Sequence, residues 1–236
     1  MKSQIYVLTI FCLLSNGFAQ PKFSLDIGFG FYEPTLTGFD DNVIDFPKKS
    51  IINRNLLMNI GIYYEFFYNA RIGYHSFISL DAKNNVTLDS GGSTANFRRS
   101  INYHCFPLET FFRWRPRIEL NFTLTPIWGR SIITLETASD DQLEDWDNLI
   151  SSFGGIIPIA KLESSESMIN NWLGYGSMLG VRYYLTSRMA IDIKSGFMNH
   201  YYNEKSWKLK GRKVTGPKMK IDDLPVFSIK FIYSIR

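Results

Sequence analysis

Lys22 to Glu33 reads KFSLDIGFGFYE, and its side chains alternate in kind. Phe23, Leu25, Ile27, Phe29 and Phe31 share one parity; Ser24, Asp26, Gly28 and Gly30 share the other. A period of two specifies an extended strand with two unlike faces. The same rhythm recurs over Asn55–Phe67, Ala70–Leu80, Ile101–Trp114, Arg117–Trp128, Trp172–Leu185, Met189–Phe197 and Pro225–Arg236, which makes eight strands. No segment shows helical periodicity of comparable strength.

The connections alternate in length. Tight turns fall near Phe67–Ala70, Arg113–Arg117 and Thr186–Arg188. Long connections run over Pro34–Arg54, Asp81–Ser100, Glu136–Asn171 and His200–Leu224. Long loops without structure are uncommon in compact soluble domains. Short turns on one side with long loops on the other fit an up-and-down transmembrane barrel.

The first nineteen residues read as a secretory signal peptide: a basic start at Lys2, an apolar core from Ile5 to Leu14, and Gly17 and Ala19 before a cut at Gln20. Residues 20–236 then form one barrel domain. Loss of the signal removes Cys12 and leaves Cys105 without a partner, so no internal disulfide staples the chain. A net charge of +4 is too small to point to nucleic acid.

Alternation alone does not separate a soluble barrel from a membrane barrel, because the two differ only in which face looks inward. Strand lengths of roughly 9–13 residues suit a tilted crossing of a bilayer. Aromatic residues gather near strand ends, at Tyr64–Tyr68, Phe111–Trp114 and Tyr183–Tyr184, as at a lipid–water boundary. The parity opposite the apolar one holds Gly and Ser with a few charges, which suits a narrow lumen. The whole mature chain resembles the small eight-stranded outer-membrane barrels of OmpA-like and OmpX-like type, and most of all the porin-family outer membrane β-barrel proteins of Bacteroidetes-type bacteria. That resemblance implies a Gram-negative outer-membrane location and a last strand read by the barrel-assembly machinery. Phe227, Ile229, Phe231, Tyr233 and Ile235 keep the alternation of such a strand, although the chain ends in Arg236 rather than an aromatic residue. Pro107 predicts a bulge or a late strand start, and Pro126 marks where its strand leaves the hydrocarbon.

By parity Asp26, Glu65, Arg71, His75, Glu109, Glu119, Arg182, Asp192, Lys194 and Lys230 point into the lumen. Eight strands enclose only enough room for side chains, so these residues are expected to pair and plug it. The alternative is a narrow gated channel lined by them. No His or Cys spacing fits a metal, and no cofactor is expected. A lipid-modifying enzyme of the lipid A hydrolase type would need a hydroxyl near an imidazole. Ser100 and His104, of equal parity, are the best such pair, with Phe97–Ser100 read as loop. A soluble exported barrel that binds a small ligand is a third reading.

The third long loop is acidic around Asp140–Asn148, and Asp140–Ser152 shows spacing for a short helix at Leu143, Trp146, Leu149 and Ile150. Phe153–Ala160 is apolar for a loop and is expected to fold over the barrel mouth or into a partner. The fourth loop carries a basic patch of Lys205, Lys208, Lys210, Arg212 and Lys213 around Trp207. Such a patch suits lipopolysaccharide phosphates, the acidic neighbouring loop, or an envelope protein.

Overall fold

A computed structural model of the chain describes residues 22–31, 34–37, 44–45, 56–79, 84–88, 93–137, 142–158, 166–221 and 226–235. The signal segment expected over residues 1–19 lies outside them. Eight strands build the wall: β1 (Lys22–Phe31), β2 (Leu56–Phe67), β3 (Ala70–Ser79), β4 in two halves (Ser93–Cys105 and Leu108–Arg115), β5 (Ile118–Thr137), β6 (Ser167–Tyr184), β7 (Met189–Tyr201) and β8 (Val226–Ile235). Each pairs antiparallel with its neighbour in sequence, and β8 pairs with β1 from Phe23↔Ile235 to Phe31↔Phe227. The ladder is therefore closed and has no free edge.

Strand parity sets the two faces as the alternation requires. Phe29, Ile62 and Phe231 point outward and are exposed, as are Ile27, Leu124 and Ile229. Asp26, Asn59, Asn121 and Ser228 point inward and are buried. Tight turns close β2–β3 at 68–69, β4–β5 at 116–117 and β6–β7 at 185–188.

Pro107 introduces no extra residue. Ile72↔Leu108 and His75↔Cys105 are separated by three residues on both strands, and so are Leu108↔Leu124 and Cys105↔Ile127. The register thus passes through Phe106 and Pro107 unchanged, in place of the expected bulge. Proline lacks an N–H, but its carbonyl still accepts from Gly73 at 2.9 Å, and Phe106 donates to the Pro126 carbonyl at 3.0 Å. At Pro126 the strand does not stop: β5 continues to Thr137. Residues 97–100, read as loop, are strand within β4.

Above the wall the long connections carry structure of their own. Helix α1 (Gln142–Ser152) occupies the acidic third loop, where the spacing indicated it. In the fourth loop Trp207–Leu209 pairs with Arg212–Val214 across Lys210 and Gly211, both at positive φ as a tight hairpin turn requires. This hairpin also joins β6 through Met168↔Leu209.

Gly28 faces the lumen beside the seam. A Cβ there would lie 2.2 Å from the Ile229 carbonyl oxygen and 2.8 Å from the Lys230 Cα, and neither backbone atom can yield without opening β1–β8. Gly28→Val is therefore expected to lose the compact, fast-migrating band on unheated denaturing gels, whereas Ile27→Val, on the outer face, keeps it.

Candidate functional site

The lower lumen is a connected set of charges. Arg71 donates to Glu109 at 2.7 Å and, through both terminal nitrogens, to Glu119 at 2.6 and 2.9 Å. Glu65, nearer the short-turn end, lies 3.6 Å from its Nε. Arg182 donates to Glu109 at 3.0 Å and to Asp192 at 2.8 Å. Lys194 donates to Glu109 and, at 2.8 Å, to Thr123 Oγ1. Glu109 thus collects three cations, one from each of β3, β6 and β7. Asn121 and Tyr184 donate to Asp192 and Glu119 at 3.0 and 2.7 Å. The buried cations Arg71, Arg182 and Lys194 balance the anions Glu109, Glu119 and Asp192, and Glu65 and the more exposed Arg113 add one charge of each sign at the short-turn end, the condition under which buried charge is tolerated.

A second group sits beside it. Asp26 accepts from Asn59 at 3.0 Å and faces His75 Nε2 at 3.0 Å, while Lys230 Nζ lies 2.6 Å from His75 Nδ1. The Lys230 ammonium can only donate, so His75 Nδ1 accepts from it and Nε2 is left on the Asp26 side of the ring. Tyr63 lies between the two groups, with its ring near Arg182, Lys194 and Lys230. Two aromatics read as boundary residues belong here as well. Phe111 points inward under the Arg71 guanidinium, 3.7 Å from its centroid, and Tyr184 directs its hydroxyl to Glu119.

Higher in the barrel the inner face changes character. Up to Trp128 and Leu173, apolar residues of β5 and β6 face out. From the level of Cys105 and Ile127 upward apolar residues also occupy the inner face: Ile101, Tyr103 and Cys105 of β4, Ile127, Ile133 and Leu135 of β5, and Met168 and Trp172 of β6 are all buried. Arg98, Arg130 and Asn171 take the outer face. A lower cluster of Ile101, Tyr103, Cys105, Ile127 and Trp172 spans the lumen above the charges. An upper cluster joins Ile133, Leu135 and Met168 to Trp146, Leu149 and Ile150 of α1 and to Trp207, Leu209 and Val214 of the hairpin. Phe153 and Ile157 pack against this upper cluster, whereas Ile156 is 85% exposed; residues 159–160 lie outside the described set. The apolar space between charges and caps is about 40 Å³, room for about one water.

The upper cluster corrects the reading of the fourth loop. Trp207 is not part of a surface patch: it is buried, and its indole N–H donates to the Tyr202 hydroxyl at 2.6 Å. Burial holds that hydroxyl well above the usual phenol pKa, so it remains a proton donor toward the Pro217 carbonyl. Lys205, Lys208, Lys210, Arg212 and Lys213 do face solvent. The two loops of opposite charge meet through this apolar core more than through ion pairs.

Ser100 and His104 are not brought together. They lie four residues apart on the outer face of one strand, roughly 13 Å along it. The His104 ring stacks on Tyr74 and lies against Trp128, and its Nδ1 is 2.8 Å from the Tyr74 hydroxyl. No group of metal-ligating His, Cys, Asp and Glu residues occurs among the described residues.

No family model and no curated protein matches the chain. Solved structures do. The outer membrane protein OprG from Pseudomonas aeruginosa is 13% identical, with a TM-score of 0.51 over 93% of this chain and 98% of its own. A major outer membrane protein from Thermus thermophilus is 11% identical, with a TM-score of 0.53 over 92% of this chain and 100% of its own. The fold is that of a small outer-membrane β-barrel. At such identities the likeness concerns the fold alone.

Glu109→Gln leaves three cations around a neutral amide and is expected to cost about 3–5 kcal/mol in urea-induced unfolding. Adding Lys194→Met, which removes one of those cations, should recover at least half of the loss. Trp146→Ala should act elsewhere: the barrel keeps its compact gel mobility, while protease cuts appear within 142–158 because the upper cluster has lost its largest helix side chain.

Proposed function

We propose that the protein is a non-conducting outer-membrane barrel that anchors a compact cap at the cell surface, where the cap serves as a structural or interaction element. The observation that carries this reading is the double closure of the lumen. A balanced ion network fills its lower half and two apolar clusters fill its upper half. The apolar clusters lie above the charges, and ions do not cross an apolar layer without large desolvation. The apolar space between the charges and the cap, about 40 Å³, is far below that of a small-molecule pocket.

The membrane placement rests on the outer surface. Leu120, Phe122, Leu124 and Trp128 of β5 continue around the wall as Leu179, Val181, Ile193, Phe197, Ile229 and Phe231, all exposed. A continuous apolar belt of this kind aggregates in water and is stable in hydrocarbon. From Leu120 to Trp128 the strand climbs roughly 27 Å, or about 20 Å along the normal at the usual barrel tilt, close to an outer-membrane hydrocarbon layer. Export through the expected signal peptide, and assembly guided by the alternating β8, complete this reading. Partners would reach the protein through the cap, whose helix presents Glu144 and Asp147 and whose hairpin presents Lys208 and Lys213.

Refolded protein in planar lipid bilayers is expected to insert without stepwise ion conductance. Discrete conductance steps in the wild type would show that the lumen opens and would replace this reading with the channel.

A further inference from the structure

Two residues above Trp128 the continuous apolar outer belt is interrupted by a polar row that carries one cation. Asn102, Arg130 and Asn171 form one row across β4, β5 and β6, directly above His104, Trp128 and Leu173. The next row holds Ile132 and Ile169, with Lys208 of the hairpin beside Ile169. Arg130, Asn171, Lys208 and Lys210 border a single open hollow of about 780 Å³, together with Glu166 and Ser167. Lys210 lies 3.2 Å from Glu166. Among the described residues, neither Arg130 nor Lys208 makes an ion pair.

We propose that this hollow binds the phosphate of a lipid headgroup in the outer leaflet. The inference rests on the outer-membrane reading above and adds a ligand class and a position to it. The guanidinium fork of Arg130 is suited to two phosphate oxygens at once, and the Lys208 ammonium is suited to a third. Two strand spacings and one row separate these residues, roughly 12 Å between Cα atoms, a gap that two long side chains close around one phosphate. The Asn171 amide lies between them on the same row as Arg130. Below the hollow, Trp128, Leu173 and Tyr175 offer an apolar track for the acyl chain. A soluble anion would use the charges but leave that track unused. The combination of cations above and an aromatic-aliphatic wall below is what selects a lipid.

The test uses refolded full-length mature protein in neutral detergent, titrated with phosphatidic acid, with diacylglycerol of the same chains, and with inorganic phosphate, with bound species counted by native mass spectrometry. Phosphatidic acid is expected to bind, and diacylglycerol and inorganic phosphate much more weakly. Arg130→Gln with Lys208→Gln should weaken phosphatidic acid binding about thirtyfold. Arg130→Lys with Lys208→Arg should retain most of it. Arg115→Gln with Arg188→Gln, at the short-turn rim, should change it less than threefold. Gel mobility checks that every variant is folded. Equal loss in the rim variant, or inorganic phosphate binding as tightly as the lipid, overturns the headgroup site. Wild-type protein that stays soluble without detergent and does not enter bilayers overturns the membrane reading and this site with it.

Discussion

An eight-stranded barrel encloses a space that side chains must fill, and the rest of this molecule follows from how that space is filled. On the lower strands the outward positions are apolar and the polar and charged side chains occupy the inward ones. Once inside, the charges have to be balanced. Glu109 is the centre of that balance. It draws Arg71, Arg182 and Lys194 from three different strands. The pairs thereby fix the relative register of β3, β4, β6 and β7 from within, as the backbone ladder does from the wall. Gly28, Gly61 and Gly180 line the same interior, where any side chain would collide with backbone, with His75 or with Asn121 and Lys194. Small residues and long charged ones divide the volume between them.

Most of the wall was legible in the sequence because a period of two is a strong signal wherever one face is uniformly apolar. The eight strands, the three tight turns and the inward parity of residues such as Asp26 and Asp192 can all be read that way. The upper third of the barrel could not, for an identifiable physical reason. Through Ile127, Trp128, Gly129, Arg130, Ser131, Ile132 and Ile133 apolar residues fall on both parities. A strand with apolar residues on both faces looks aperiodic, so β5 reads as ending at Trp128 and Phe97–Ser100 reads as loop. The ion pairs were legible only as a set of inward charges. Which carboxylate meets which cation depends on strand tilt and register, and these do not appear in a linear pattern. Trp207 misled for another reason: a tryptophan among lysines looks like a surface patch until the hairpin around it is known to pack on β6.

The apolar inner face of the upper strands also explains how the cap stays in place without covalent help. Cys105 is buried in the lower cluster and takes part in no disulfide. Instead β5 and β6, at twenty and eighteen residues, outgrow the apolar belt and present their inner faces as half of a water-soluble core. Helix α1 and the 207–214 hairpin supply the other half. The chain therefore has two kinds of interior stacked along one axis, electrostatic below and hydrophobic above. The hydrophobic one shields the upper end of the charge network from outside water, and exclusion of water strengthens every ion pair beneath it. The lower end is different. A vestibule of about 420 Å³ at the short-turn mouth reaches Arg71 and Arg182 and is bordered by Glu65, Arg113 and Arg117. The network is thus sealed from one side and hydrated from the other.

One consequence ties the interior to the outside. The residue that ends the outer apolar belt on β5, Trp128, is adjacent in sequence to Ile127, a member of the inner cluster that closes the lumen. Membrane boundary and lumen seal are set at the same height by alternate faces of the same few residues. The cap begins immediately above that height, and its helix packs on the continuous strand that crosses the belt. Its position is then tied to strand register, because α1 and the hairpin pack on inner-face residues of β5 and β6 that continue directly from the belt. A barrel of this kind presents Arg130 and Lys208 at one fixed depth, which is the condition a headgroup site needs and a mobile loop does not meet.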